Sequence, residues 1–320
     1  MLGLGRRAET GPGQTRATRW VSPRDLLITA RPVQWVKNLF VLAPVVFAQR
    51  LRDPEDVLLS AAAFWLFCLL ASGVYFINDA LDAPRDRLHP VKSRRPVAAG
   101  RLGRGTALGI GAASMSAAVA LGGLISPGTA AVLGIYAALN LLYSWRLKSV
   151  GMLDVIVIAV GFVLRAVAGA VAIHVAFSVW LLLCTFFLAM LLAAAKRRSE
   201  MAALGAGAEA TRPSLVPLNG SFLDSVLTAA AAATLVSYAL YTVSAETVAK
   251  FGGKGLIVTM PFVAYGVIRY LQLVYTGTST ENPTAVVLRD WGMRLTIVSW
   301  VGCAILVIYV FRASLGGLLE

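Results

Sequence analysis

The sequence predicts an all-α integral membrane protein of about nine transmembrane helices. Three observations carry that expectation. The chain is 58% hydrophobic and only 14% charged, with a mean hydropathy of +0.74, far from the balance of a soluble protein. Its apolar residues gather into long runs, most of which reach the roughly 20 residues needed to cross a bilayer. Lys and Arg then cluster in alternate connections between those runs, the asymmetry that orients a membrane protein. With 320 residues and no long polar insert, residues 26–320 are expected to form one transmembrane domain behind a flexible tail over 1–25.

Taken in order, the apolar runs cover 26–49, 57–78, 107–126, 129–147, 152–175, 178–195, 222–243, 256–276 and 293–314. Arg31, Pro32 and Lys37 interrupt the first, so an interfacial start or a kink is expected there. With the N-terminus in the cytoplasm, the great majority of the 29 Lys and Arg residues face inside, while Arg50, Arg52, Lys250, Lys254 and Arg312 face outside. Much of the net charge of +13 is therefore topogenic and suited to anionic headgroups. Scattered among membrane loops without a soluble recognition module, these cations do not read as a nucleic-acid surface. Residues 1–22 lack the apolar core of a secretory signal. Cys68, Cys184 and Cys303 all lie in apolar runs without paired spacing, which indicates neither a disulfide framework nor a zinc site. Gly and Ala crowd 109–123 and 160–172, the composition that lets membrane helices approach closely.

The chemistry concentrates where the second run ends, at Asn78-Asp79-Ala80-Leu81-Asp82-Ala83-Pro84-Arg85-Asp86. Spacings of three and four align Asp79, Asp82 and Asp86 on one face if the helix continues, although Pro84 is expected to break the last turn and leave Asp86 on an extension. Three converging carboxylates need a cation between them. Mg²⁺ suits them, being a hard ion that shares oxygen ligands with substrate phosphates; a solvated acidic helix end balanced by nearby Arg is the plainer reading. The following loop supplies Lys92, Arg94 and Arg95, which fit either a phosphate clamp or simple topogenic charge. Lys37 in the first run has the same two readings, snorkelling to the interface or facing inward toward a phosphate. Asp154 and Arg165 share an apolar run but stand eleven apart, about 16 Å along a helix axis. Each therefore needs another partner, and a polar substrate cavity is the natural one. Lys196-Arg197-Arg198-Ser199-Glu200 closes the sixth run, and Glu281, Pro283, Leu288, Arg289 and Asp290 precede the last.

In this order and at these membrane positions the motifs resemble the UbiA superfamily of intramembrane prenyltransferases, over residues 26–314. Asn78, Asp79, Asp82 and Asp86 match its N-D-x-x-D-x-x-x-D motif, Arg95 to Gly100 its R-P-x-x-[AS]-G, and Tyr143 with Lys148 its Tyr-x-x-x-x-Lys element. The resemblance implies nine helices around a central cavity open to the cytoplasm. The chain departs from most members at the second Asp-rich motif, where Lys196 to Glu200 is largely cationic. That substitution, with R-P-x-Q-W-x-K-N at Arg31 to Asn38 and the late E-x-P-x-x-x-x-L-R-D, is similar to the decaprenyl-phosphate phosphoribosyltransferase branch.

The branch resemblance implies transfer of 5-phosphoribose from phosphoribosyl diphosphate to a polyprenyl phosphate in a bacterial cytoplasmic membrane, toward lipid-linked arabinose donors, and it permits a homo-oligomer. Asp79, Asp82 and Asp86 would hold Mg²⁺ with the leaving diphosphate, and Asn78 would position it. Lys37, Lys92, Arg95, Lys148, Lys196 and Arg197 are candidates for phosphate groups; Asp154 and Glu200 are candidates for ribose hydroxyls or for orienting those cations. Tyr143 and Arg165 complete the substrate-binding candidates, and Asp79, Asp82, Asp154 and Lys196 are the catalytic ones. The acceptor phosphate is already anionic and needs no general base, in keeping with a chain of only two His, His174 outside any evident catalytic setting and His89 in the basic loop. Two other readings stand beside this one. The first is a prenyltransferase acting on an isoprenoid diphosphate and a small or aromatic acceptor, against which the missing second Asp-rich motif argues. The second is a transporter, since intramembrane charge also marks transport paths.

Overall fold

The computed structural model describes residues 22–147, 150–204, 219–276, 286 and 289–310. The expected position Lys148, most of the expected tail, and Glu281, Pro283 and Leu288 lie outside the described residues. Eleven α-helices are described: α1 Pro23–Ala30, α2 Ala43–Phe47, α3 Pro54–Asp86, α4 Arg104–Ile125, α5 Pro127–Trp145, α6 Leu153–Ala172, α7 Val179–Leu204, α8 Gly220–Val243, α9 Ala245–Phe251, α10 Met260–Tyr275 and α11 Trp291–Tyr309. Eight helical spans are long and apolar enough to cross a membrane, and Pro32–Phe47 forms a shorter apolar segment beside them. The chain is a multi-pass membrane protein, and these segments match the nine expected from hydropathy.

The bundle follows from its caps and its small residues. Asp53 caps α3 by accepting from the Glu55 and Asp56 backbone N–H groups, with Pro54 at the first helical position, where its missing donor costs nothing. Ser126 and Asn219 cap α5 and α8 through their side chains, each satisfying one of the orphan donors at a helix start. Gly73 of α3 and Gly111 of α4 sit back to back, a Cβ on either meeting the other's carbonyl oxygen at 2.8 Å. That approach is the reason for the small-residue enrichment in this part of the sequence.

The first apolar run departs most from a simple span. Arg31 takes the left-handed conformation (φ 55°, ψ 61°) and ends α1; the chain then winds as an eleven-residue 3-10 helix, Pro32–Leu42, before α2. At three residues per turn, Trp35, Asn38 and Val41 stack on one row. Trp35 Nε1 donates to Ser72 Oγ of α3 at 3.1 Å, Asn38 and Val41 are fully buried, and the Val41 carbonyl lies against Gly169 of α6. A Cβ at Gly169 would stand 1.9 Å from that oxygen, so only Gly admits the segment there.

The second departure concerns Pro84. It does not break α3, which runs on through Asp86. Proline removes the donor for the carbonyl one turn back, and that acceptor, Ala80 O, takes Arg104 Nε at 3.0 Å instead. The cation at the start of α4 thus repairs the bond that Pro84 deletes, and Asp86 stays in register with Asp79. Replacing Gly169 by Ala should lower stability by about 1–3 kcal/mol through overpacking, read as a drop in unfolding temperature in detergent, while Gly134→Ala, which meets open space, should leave it unchanged.

Candidate functional site

Asp79, Asp82 and Asp86 occupy the last two turns of α3. The negative pole of the helix dipole adds to their mutual repulsion there, so cations must approach. Asp79 is 2% exposed and Asp86 5% exposed. Arg31 Nη2 reaches Asp79 Oδ1 at 2.5 Å, and Arg95 Nη1 bridges Asp79 Oδ1 (3.3 Å) and Asp86 Oδ2 (2.8 Å). Arg95 is extended (φ −61°, ψ 143°), as the residue before Pro96 must be, and this turns it back toward α3. Gly100, at φ 73°, supplies the left-handed turn that returns the chain to α4. Asn78 hydrogen-bonds the Ser144 hydroxyl of α5, and Asp82 is half-buried on the same face.

The expected three-carboxylate metal site is not gathered at one point: among the described residues no three acidic, His or Cys side chains converge as a metal cluster. The reason is visible in the pairings. Two guanidiniums neutralise Asp79 and Asp86. The donor set nonetheless fits a divalent ion, since two buried carboxylates already converge on one cation, the shared Arg95 nitrogen, and hard oxygen ligands are what Mg²⁺ takes.

On the opposing elements the charges are paired to different degrees. Arg197 of α7, 1% exposed, donates to Asp154 Oδ2 of α6 at 2.6 Å and to Glu200 Oε2 at 2.5 Å. Asp154 is 0% exposed. These two residues meet each other rather than an open cavity. Arg198 turns away, pairing with Asp224 of α8 at 2.5 Å and covering the Tyr275 ring. Arg165 likewise has protein partners: Nε donates to Asn38 Oδ1 (2.8 Å), Nη1 to Gly161 O (2.7 Å) and Nη2 to the Tyr136 hydroxyl (2.7 Å). The rings of Phe67, Tyr136 and Phe162 surround its guanidinium. The guanidinium thus sits in an aromatic cage and links the 3-10 segment to α6 through Asn38.

Lys37 follows from that anchor. It is half-buried next to Asn38, in the electrostatic field of Lys196, Arg165 and Arg31, and among the described residues it has no ion-pair or hydrogen-bond partner. Lys196 lies 3.9 Å from Glu200 and is more open, its side chain 41% exposed. Tyr143 is half-buried near Arg197. Lys92 opens a short 3-10 turn, Lys92–Arg94, its backbone N–H on His89 Nδ1. Arg269 of α10 pairs with Asp290 (2.8 Å), which also caps α11, so the late motif residue Asp290 closes the bundle. Sequence reading missed Arg31, Asn38, Tyr136 and Ser144 as parts of this network. Arg31 and Asn38 open and close the R-P-x-Q-W-x-K-N motif, which was the available signal.

Comparison with known proteins places this geometry. The description of the UbiA prenyltransferase family matches residues 39–298. A protein of Corynebacterium glutamicum named decaprenyl-phosphate phosphoribosyltransferase is 34% identical over 284 residues, covering 88% of this chain and 85% of its own length. Its namesake in Mycolicibacterium smegmatis is 33% identical, covering 87% and 90%. A solved UbiA homologue from Archaeoglobus fulgidus bound to GPP and Mg²⁺ superposes with a TM-score of 0.69 at 20% identity, covering 89% of this chain and 100% of that one; this likeness speaks for the fold.

Truncating Arg197 to Met removes the guanidinium that Asp154 and Glu200 share, which should cost about 3–5 kcal/mol. Combining it with Asp154→Asn and Glu200→Gln should recover most of the lost unfolding temperature in detergent.

Proposed function

The chain belongs to the UbiA prenyltransferase family, and on that premise we propose that it transfers 5-phosphoribose from phosphoribosyl diphosphate to decaprenyl or a similar polyprenyl phosphate, releasing diphosphate at the cytoplasmic face of the membrane. The relatives that align over most of their length carry the name of this activity. The observation that carries the reading within the site is Lys37. A Lys side chain held half-buried among other cations, with no anion of its own among the described residues, is suited to an anionic ligand that would hold it as the ammonium, and burial strengthens that pairing. An acidic wall at Asp79 and Asp86 beside a cationic one at Lys37 and Lys196 matches a donor with phosphate groups at both ends.

In this reading Asp79, Asp82 and Asp86 hold Mg²⁺, which when bound supplies charge neutralisation to the leaving diphosphate. Lys37 and Lys196 bind phosphate oxygens. The Arg197–Asp154–Glu200 cluster keeps Glu200 at the rim, where it accepts from ribose hydroxyls. An acceptor phosphate oxygen forms its bond to the anomeric carbon while the bond from that carbon to the diphosphate oxygen breaks and its electron pair leaves with diphosphate. No proton must be removed from the nucleophile, so the residues act by alignment and by electrostatic stabilisation of developing charge.

Purified protein in detergent, given Mg²⁺, decaprenyl phosphate and labelled phosphoribosyl diphosphate, should move label into the lipid phase. Chelation of the metal or Asp79→Asn should abolish transfer. Label that stays aqueous while an isoprenoid diphosphate is consumed with an aromatic acceptor would overturn the reading. Lys37→Met should raise KM for phosphoribosyl diphosphate about tenfold or more, the loss of one charge-assisted phosphate contact, with a smaller effect on KM for the lipid.

A further inference from the structure

Arg31 is bound to the site in a way that its position outside α3 does not require. Its guanidinium shares a single oxygen, Asp79 Oδ1, with Arg95. Arg95 is also fixed on Asp86, whereas among the described residues the carboxylate Arg31 holds is Asp79 alone. The side chain stacks 4.8 Å over the Tyr75 ring and is 29% exposed against 3% for its partner carboxylate, so it stands on the rim, at the edge of an open groove lined by Arg24, Leu27, Val33 and Gln34. Its left-handed backbone is disfavoured for a non-Gly residue, a conformation sustained by the elbow between α1 and the 3-10 segment. That elbow has other ties: Ser72 Oγ lies 3.1 Å from Ala30 O, and Arg101 pairs with Asp25 at 3.0 Å. The side chain can leave Asp79 without undocking α1.

A divalent cation on Asp79 and the Arg31 guanidinium compete for the same oxygen, and two like charges at contact distance in a poorly solvated site repel strongly. We infer that Arg31 is a substrate-binding residue which holds the place of the divalent cation on Asp79 in the ligand-free protein and swings onto the donor diphosphate when the cation arrives. This rests on the reading of Asp79 as a metal ligand given above. The exchange keeps the carboxylate neutralised in both states. It couples the two ligands: metal alone must displace Arg31 without compensation, while metal with diphosphate gives the released guanidinium a new anionic partner. Arg95 keeps its second partner, Asp86, when it yields Asp79 Oδ1.

The test is Mn²⁺ binding to the full-length protein in detergent, followed by electron paramagnetic resonance and calorimetry, with and without phosphoribosyl diphosphate. Wild type should bind Mn²⁺ weakly alone and much more tightly with the donor present. Arg31→Gln should bind Mn²⁺ alone about tenfold more tightly than wild type, and should lose about tenfold in donor affinity at saturating Mn²⁺, so that the coupling between the two ligands collapses. Arg31→Lys, which keeps a charge but not the planar fork, should fall between the two. Asp79→Asn should lose Mn²⁺ binding in either background. An Arg31→Gln protein that keeps the wild-type unfolding temperature but binds Mn²⁺ no more tightly overturns the inference, as does a failure of Mn²⁺ to bind wild type and variant alike. The experiment also separates this inference from the proposed reaction: Mn²⁺ exchange that responds to Arg31 in a protein unable to transfer phosphoribose would sink the choice of reaction and leave the role of Arg31 intact.

Discussion

Ionised side chains in an apolar helical bundle must be matched, because removing a charge from water costs several kcal/mol unless a partner replaces the lost solvation. The described structure answers that constraint with three networks. Arg31 and Arg95 neutralise Asp79 and Asp86 at the end of α3. Arg197 joins Asp154 of α6 to Glu200 of its own helix. Arg165 is held by Asn38, Tyr136, a carbonyl and three aromatic rings. Each network ties together elements that hydrophobic packing alone would leave free to slide, since lipid is as apolar as the helix faces. The polar groups therefore set the register of the bundle as well as its chemistry.

These networks also explain why so few of the many cations remain available to a ligand. Arg197 and Arg198 form the core of the cationic motif at the end of α7, yet one is buried in a triad and the other bridges α7 to α8. Nearer the rim stand Lys37, set beside Asn38 and so positioned by Arg165, and Lys196, 3.9 Å from Glu200. A wall of carboxylates and a sparse wall of Lys side chains suit the proposed donor, which carries phosphate at two ends. The same electrostatics that makes an unpaired buried charge expensive makes it responsive to an anion, which links the stability of the bundle to the function proposed for it.

Backbone detail carries the geometry between the networks. The 3-10 winding of Pro32–Leu42 puts Trp35, Asn38 and Val41 on one row, and the close approach of Val41 to Gly169 locks that row against α6. Pro84 removes a hydrogen bond from α3, and Arg104 returns one to the same carbonyl. Without that repair the last turn would lose the alignment of Asp86 with Asp79.

What the sequence by itself determined is local. Hydropathy marked the spans to within several residues, and spacings of three, four and seven placed Asp79, Asp82 and Asp86 on one face, because each depends only on neighbours within a few turns. The family motifs were legible for the same reason, as short patterns in fixed order. The tertiary structure decided which cation meets which anion: Arg31 with Asp79 across 48 positions, Arg197 with Asp154 across 43, and Arg165 with Asn38 across 127. It also decided that Pro32–Leu42 winds with three residues per turn and that α3 survives Pro84. Such pairings depend on how whole helices pack, and an Arg reads the same in sequence whether it is committed to a buried carboxylate or open to a phosphate.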